Sequence, residues 1–537
     1  MSQTKTSINH QFDKITKDFL RQIESLREVR PLVMILIVAN AEKANRDFTA
    51  HLKRKGKEEK DEKGESYLKF SPEDAYNITA LEKNSNVATA SVEIIPQSLF
   101  VSLISQYDSF LGKFIREIFL VKPEILNSSE KNLTYSKLLE LSSVEDAKEF
   151  IIEKEIESIL RESHSDHFDW LENKLKMTLR KDLPIWQTFI ELTERRNLFV
   201  HNDGVVSSQY LSICNKNKVS HKDNPKIGNE LDVTPEYFET AFNCLYEIAT
   251  KLTQVVWRKL IPADIEKADE SLNDICFELI QYGQYDLANV LLDFATGIIP
   301  RHFNEETKNV FVINQSLSLK LGGNKEKSED IIRSKDWSAS SDKFKIAKEV
   351  LLDNFEEAAK LMKKIGPDGE VKKLSYKIWP LFAEFRKTKL FTDIFKEVFT
   401  EEFSLEERPK KLLEQLMQQV EDSKKQKESL NTSSFLEITK VTFPRYQFIP
   451  FKVDGFIKAI LTIDSTFTTS QFKDAVQKQI TTVTKFNEYL VSQSATQYLN
   501  PYTALRHCLY LFDKNKFSEI LFEMQRESFE KWLMKNF

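Results

Sequence analysis

Glycine is scarce in this chain, with 12 glycines against 39 phenylalanines in 537 residues. Glycine supplies the left-handed backbone conformations that many tight turns require, so a fold that depends on many such turns is disfavoured. What the chain does contain is a set of long segments with a 3.6-residue apolar period, rich in Lys, Glu and Leu. These segments predict an all-α fold, and 41% apolar residues are ample for globular packing.

Cysteine is also scarce, and its four copies form no metal-binding pattern. Cys214, Cys244, Cys276 and Cys508 are far apart and match no zinc spacing. We expect them to be reduced, mostly buried thiols, as is usual in a cytosolic protein. The sequence predicts neither a metal site nor a cofactor.

Long apolar runs and an excess of charge of one sign are both missing. The run Pro31 to Ala39 is too short to span a bilayer, and the first residues lack the apolar core of a signal peptide. We therefore expect a soluble, cytoplasmic protein with no membrane contact. The net charge of −5 comes from 77 basic and 82 acidic residues, so any contact with RNA must come from a local groove.

The length predicts two to four domains. We assign residues 1–262 to a first helical domain, with a core at 97–262 and an N-terminal helical extension at 1–96. Residues 263–400 form a second domain of short helices, and 401–537 a third, mostly helical one. A β-like segment at 435–464 alternates apolar and polar residues and carries prolines that limit it to edge pairing or an extended loop.

Within the extension, the sequence predicts one helix from about Asn9 to Lys53, with a break at Pro31 as an open alternative. The charge run Lys53 to Glu65 is interpreted as a flexible linker. The polar stretch Ser71 to Ile95 is interpreted as loop with short structured pieces, and Gln97 to Val121 as an amphipathic helix.

The stretch Pro184 to Gly204 is the centre of the first domain. Its apolar positions recur at helical spacing, and the helix is expected to stop at the Asn-Asp-Gly that closes the stretch. Arg196 stands where this apolar line calls for another buried side chain, and Asn197 and His201 follow on the last two turns. We expect all three side chains on one face of the helix, whose earlier part is core. Polar groups at the end of a buried stripe need partners, and such groups often mark a functional site.

Arg196 to His201 reads R-N-x-x-x-H, which resembles the signature of the HEPN superfamily, helical domains that include many metal-independent ribonucleases. The resemblance covers roughly Gln97 to Lys259. It implies that the ribose 2′-hydroxyl of RNA attacks the adjacent phosphate and leaves a 2′,3′-cyclic phosphate. His201 would transfer a proton, Arg196 would stabilise charge on the phosphorane, and Asn197 would orient the histidine or hold a phosphate.

Two supporting residues follow from the same resemblance. HEPN nucleases commonly place a polar or acidic residue on the facing helix, and Asp108 is the candidate here. Arg195 points elsewhere and is the candidate for a contact with the RNA backbone. The family usually forms its site between two domains, which implies a homodimer or a partner protein such as an antitoxin. Relatives of this size commonly act as toxins or in antiviral defence.

Other functions stay open. One is a non-catalytic HEPN scaffold that binds a nucleotide or a protein partner through Arg196 and His201. Another is a helical-repeat adaptor in which the motif is a coincidence at an exposed helix end. The pair His164 and His167 could hold a metal, but no further ligands lie nearby in the sequence, and a surface position is favoured. The basic loop Cys214 to Asn229 is either an RNA contact or an ordinary exposed loop.

The second domain repeats a short phrase in which a tight turn precedes a helix with a small residue in its first turns. It occurs at Gly283, Gly323 and Asp353, with spacings of 40 and 30 residues, and an echo at Asp513. The pattern resembles degenerate tetratricopeptide-type repeats. The alternative is an irregular helical domain whose turns share the same chemistry. The aromatic cluster that begins at Trp379 is interpreted as core.

Overall fold

The computed structural model describes residues 11–128, 133, 135–181, 183–220 and 224–404. The fold is all-α, as predicted, and the described residues contain one small sheet of two strands. The predicted β-like segment at 435–464, the echo of the repeat at Asp513, Cys508 and nearly all of the predicted third domain lie outside the described residues.

The helices are long at the N-terminal end and short towards the repeats. In chain order the main elements are α1 Phe12–Lys55, β1 Lys57–Lys60, β2 Ser66–Lys69, α2 Pro72–Val121, α3 Tyr135–Glu140, α4 Val144–Leu160, α5 His164–Leu175, α6 Trp186–His201, α7 Ser208–Lys216, α8 Pro235–Leu260, α9 Ile265–Gln281, α10 Tyr285–Asp293, α11 Glu305–Leu321, α12 Lys325–Arg333, α13 Asp342–Leu351, α14 Phe355–Ile365, α15 Lys373–Ile378 and α16 Lys389–Phe399. A π-helical turn, Phe294–Ile298, follows α10, and short 3₁₀ turns occupy Pro123–Ser128, Pro262–Asp264, Pro380–Phe382 and Phe385–Lys387.

The chain divides into two compact units, and the division differs from the predicted domain boundaries. The first unit comprises the described residues among 1–28, 96–280 and 284–334. The second comprises those among 29–95, 281–283 and 335–404. The second copy of the repeat phrase, and the first copy from Gln284 onward, therefore belong to the same unit as the core at 97–262, whereas most of the N-terminal extension belongs to the other unit.

An aromatic core holds the first unit together. The N-terminal part of α1 packs on the C-terminal part of α2, where Phe12 contacts Phe114 with ring centroids 5.4 Å apart and Phe19 contacts Phe110 at 4.8 Å. Helix α8 adds Trp257, which is buried beside Phe12. Thr234 caps α8, since its side chain accepts a hydrogen bond from the backbone at Tyr237.

The second unit also has a phenylalanine-rich core. Phe355 of α14 stacks on Phe385 with centroids 5.3 Å apart, and Phe385 contacts Phe391 of α16 at 5.1 Å. The aromatic cluster after Trp379 is core as predicted, because Leu381, Phe382 and Phe385 are all buried.

Two predictions for the N-terminal extension are wrong. The charge run Lys53 to Glu65 is not a plain linker, because β1 and β2 pair as an antiparallel hairpin in which Glu59 accepts hydrogen bonds from Tyr67 and Lys69. The stretch Ser71 to Ile95 is not a loop but the first half of α2. Ser71 accepts a hydrogen bond from the amide of Asp74, which together with proline at the first helical position starts the helix.

The helix from about Asn9 is confirmed in α1, which continues through Pro31 without a break. A proline inside a helix removes one hydrogen bond, and the apolar residues Ile23 and Leu32 before and after it are buried. Of the described helices, one, Pro72–Val121, is long and apolar enough to cross a membrane by length and composition alone, which is weak evidence. The C-terminal part of this helix is instead core, since Phe110, Phe114 and Ile118 are buried.

The three described copies of the repeat phrase share one backbone conformation. Gly283, Gly323 and Asp353 have φ of 72°, 89° and 58°. The following amides, of Gln284, Asn324 and Asn354, each bond to a carbonyl five residues earlier at 2.8–2.9 Å. The small residue of each copy is completely buried; these are Ala288, Ser328 and Ala358. This part of the chain therefore has a helical-repeat character, in which a left-handed turn links consecutive helices.

Candidate functional site

The sequence motif lies on α6, which ends as predicted. The helix runs Trp186–His201 and is followed by Gly204, whose φ is +78°. A Cβ atom there would lie 2.8 Å from the ring of Phe199, so the turn needs glycine both for its conformation and for the close approach. This turn fixes where the last helical turn ends, and with it the positions of Arg196, Asn197 and His201.

Arg196 is half-buried and forms an ion pair with Asp108 of α2. The pair joins Nη2 of the guanidinium to Oδ2 of the carboxylate. Nη1 donates to Oδ1 of Asn197 at 3.2 Å. The structure thus places two of the predicted site residues, Arg196 and Asn197, together with the supporting candidate Asp108.

Asp108 has a second partner that the sequence analysis did not connect with it. Its Oδ1 lies 2.8 Å from Nε2 of His164, the first residue of α5. Burial raises the pKa of Asp108, but the hydrogen bond with His164 and the charges of His164 and Arg196 outweigh that effect and lower it. Asp108 therefore stays ionised and joins α5 to α6 through α2.

The surface interpretation of His164 and His167 is wrong. Both imidazoles are buried, with relative exposures of 6% and 1%, and their ring centroids lie 5.1 Å apart. Burial and the neighbouring His164 lower the pKa of His167 to about 4, against a smaller opposing effect of Asp108. Within the described ranges, no three His, Cys, Asp or Glu side chains are arranged to hold a metal ion.

A signal for these histidines was present in the sequence. His164, Phe168, Leu171 and Leu175 follow one another at spacings of four, three and four residues and are all buried. This is the apolar line of an amphipathic helix, and it faces the core. The polar neighbours Asp166 and Asp169 interrupt this line in the sequence and obscured it.

Glu194 is a further buried acid beside the site, and the sequence analysis missed it. Its relative exposure is 8%. Burial raises its pKa, while the charge of His164, a side-chain hydrogen bond with Asn197 and the charge of Arg196 partly offset that rise. The cluster of Asp108, His164, Glu194, Arg196 and Asn197 therefore combines two acids, one permanent cation and one titratable imidazole.

His201 does not join this cluster within the chain. It is exposed and forms no hydrogen bond or ion pair with any described residue. His201 lies five positions after Arg196 on the α-helix, which corresponds to a rotation of about 140° around the helix axis. The expectation that Arg196 and His201 share one face is wrong for a single chain.

Arg195 is engaged in a different network. It donates through Nε to Glu191 at 2.7 Å and through Nη1 to the carbonyl of Asp232 at 3.1 Å, and its guanidinium lies over the ring of Tyr237. Glu191 also accepts the hydroxyls of Tyr210 and Tyr237. Through these contacts Arg195 holds α6 against the following loop and α8. Because its guanidinium is already engaged by these groups, we do not propose Arg195 as an RNA contact.

The basic loop Cys214 to Asn229 is partly helical. Its first three residues belong to α7, and Cys214 is buried against Leu198, Val206 and Tyr210. Cys244 and Cys276 are buried as well, in agreement with the prediction for the thiols. The end of the loop is tied to the segment after α6, since the amide of Val206 donates to the carbonyl of Asn229 at 2.8 Å and the amide of Gly228 donates to the carbonyl of Val206 at 3.0 Å.

Comparison with known proteins adds no further information. The chain matches no protein family, no curated protein and no solved structure.

Proposed function

We propose that the first unit is a metal-independent, HEPN-type endoribonuclease that cleaves RNA by attack of the 2′-hydroxyl and leaves a 2′,3′-cyclic phosphate. The observation that carries the proposal is the position of Arg196. It is a permanent cation at the end of a helix, its side chain is 20% exposed, and an acid from the facing helix and Asn197 orient it. Such a guanidinium can stabilise the charge of a phosphorane at any working pH.

His201 supplies the proton-transfer group in this proposal, and a second copy of the chain completes the site. An exposed imidazole without a described partner is available to substrate. Because it projects from α6 in a different direction from Arg196, one copy does not present both groups to one phosphate. Two copies that meet along α6 would bring two arginines and two histidines to a common cleft, which is the arrangement that the resemblance implies.

The biological setting follows by analogy. We propose a cytoplasmic toxin or antiviral effector, in which the helical-repeat character of residues after 262 serves a regulatory partner such as an antitoxin.

Cleavage of RNA in the presence of EDTA tests the nuclease. Purified protein is incubated with total RNA, and new ends are analysed for 2′,3′-cyclic phosphates. We expect cleavage by the wild type and its loss in His201→Ala and Arg196→Ala. Arg161→Ala is the matched control, since Arg161 is an exposed arginine of the same unit and pairs only with its own helix.

A nuclease that needs a trigger would be silent in that assay, so a cellular test accompanies it. Expression of the wild type is expected to arrest growth, and Arg196→Ala to relieve the arrest. If wild type and variant arrest growth equally, and neither cleaves RNA, the nuclease is refuted.

A non-catalytic scaffold is the second candidate, and one observation favours it. Arg196 is already neutralised by Asp108, and His201 has no contact that would orient it. A protein that binds a nucleotide or a peptide through these residues would show a bound ligand by native mass spectrometry and no RNA cleavage. Cleavage by the wild type that requires His201 excludes this candidate.

A further inference from the structure

The carboxylate of Asp108 divides its two oxygens between two different partners. Oδ2 accepts from Nη2 of Arg196, and Oδ1 lies 2.8 Å from Nε2 of His164. An arginine–carboxylate pair is strongest when two parallel hydrogen bonds join the two groups. The contact with His164 prevents that arrangement here, because it takes the second oxygen.

Consequently, one of the two hydrogen-bond donors on the Nε–Nη2 edge of Arg196 has no partner. Its Nε is buried and has no hydrogen-bond partner, while Nη2 on the same edge donates to Asp108. A buried donor without a partner destabilises the folded chain. An anion with two free oxygens on one atom, such as a phosphodiester, would satisfy Nε and Nη2 together.

Such an exchange would leave Asp108 without its cation. The side chains of Asp108 and Arg196 are 29% and 20% exposed, so the pair is open to an incoming ligand, yet a carboxylate in this position still needs a counter-charge. Among the described residues, the other group hydrogen-bonded to this carboxylate is His164. Its Nε2 already faces the carboxylate, and no described residue is hydrogen-bonded to its Nδ1.

We propose that Arg196 binds a phosphodiester of the RNA backbone in exchange for Asp108, and that His164 takes up one proton from solvent as the exchange occurs. The proton is placed on Nδ1, so that His164 becomes the imidazolium partner of Asp108. No covalent bond forms or breaks. The inference deepens the proposed function, on which it rests for the choice of ligand, and it makes His164 a positioning residue that acts through Asp108.

The charges around His164 agree with one exchangeable proton. Asp108 and Tyr107 face it from α2, His167 from its own helix and Glu194 from α6. Asp166 acts on the neighbouring His167, and Arg196 of α6 shares the carboxylate of Asp108. Once the phosphodiester neutralises Arg196, the acids Asp108 and Glu194 have no other permanent cation beside them among the described residues of this cluster. Glu194 is the competing site for the proton, and the experiment separates the two.

The probe is a single-stranded oligodeoxynucleotide, which lacks the 2′-hydroxyl and so is not cleaved, and whose phosphodiesters keep one charge across the pH range used. Binding is measured by calorimetry at one pH in two buffers of different ionisation enthalpy. We expect the wild type to take up close to one proton on binding. In the pH range in which the proton is taken up, the affinity for the probe should fall by up to about tenfold for each unit by which the pH rises.

Three variants identify the proton acceptor. His164→Gln keeps a donor towards Asp108 and is expected to bind without proton uptake. Asp108→Asn should bind more tightly than the wild type, also without uptake. His302→Asn is the matched control, because His302 is another buried histidine of this unit and lies 2.8 Å from Asp269, and it should keep the uptake.

Several results would overturn the inference. They are binding that does not depend on Arg196, binding without proton uptake in the wild type, or uptake that persists in His164→Gln and therefore belongs to Glu194. If His164→Gln does not fold, Asp108→Asn replaces it: proton uptake that persists in Asp108→Asn also overturns the inference. If the wild type binds the probe with proton uptake but never cleaves RNA, the proposed nuclease activity is refuted and this inference stands.

Discussion

Arg196 and Asp108 are 88 positions apart in the sequence, and their ion pair joins the end of α6 to the middle of α2. Both side chains are partly exposed, so the pair is screened less than a surface pair but more than a fully buried one. Because Asp108 also contacts His164, three helices of the first unit depend on one carboxylate. The pair therefore contributes to stability as well as to the proposed site.

Asp108→Asn should destabilise the first unit by about 1–3 kcal/mol at neutral pH, because it leaves Arg196 without a counter-charge. A double-mutant cycle with Arg196→Met, measured by urea unfolding, gives the coupling of the pair. Since the pKa of Asp108 is lowered in the folded chain, its contribution is full above the unfolded value of 3.8 and is lost as the pH falls through the folded value. Additive single variants would show that the two residues do not interact.

His167 should make the first unit less stable in weak acid. Its folded pKa is about 4, below the ordinary 6.5, so the unfolded chain binds the proton first as the pH falls. Stability is therefore full above pH 6.5 and declines towards pH 4, by up to about 3 kcal/mol in total. His167→Leu should flatten the melting temperature over this interval. An equally steep decline in the variant would assign the effect to another group.

Sequence patterns predicted those elements whose start and stop signals are local. Helix α6 begins and ends close to the predicted residues because a proline and a glycine turn mark it, and a Thr cap followed by a proline marks the start of α8 in the same way. The first half of α2 was missed because its sequence mixes polar and apolar residues, and because its helical state depends on a cap and on continuity with the buried second half. The hairpin was missed because cross-strand charge pairs resemble a solvated charge run.

The candidate site was predictable in part. Arg196 stood out as a charge on an apolar line, and Asp108 followed from the resemblance to a known helical family. The contact between Asp108 and His164 could not be predicted from sequence patterns. It depends on how α5 lies against α2, which brings together two residues 56 positions apart in the sequence. The direction of His201 is a matter of helical phase, and a simple count of five residues would have separated it from Arg196.

Glu191 is expected to be a major source of stability in the first unit. It is buried and accepts hydrogen bonds from Arg195, Tyr210 and Tyr237, which connect α6 with α7 and α8. Glu191→Gln removes the charge that matches Arg195 and should cost about 2–4 kcal/mol in chemical unfolding. Glu157→Gln is the control, because Glu157 pairs on an exposed helix surface and should change stability little. Equal effects would show that the buried network is not special.

A pair of glycines tests the turn shared by the repeats. Gly323 has φ of +89°, and a Cβ atom there would meet nothing within 4 Å, so Gly323→Ala is penalised by backbone conformation alone. We expect a loss of about 1 kcal/mol. Gly297→Ala is the matched control, with the same open space and no left-handed φ, and it should be neutral or slightly stabilising. Equal melting temperatures for the two variants would mean that the left-handed turn, on which the regular linkage of these helices depends, is not held in the folded chain.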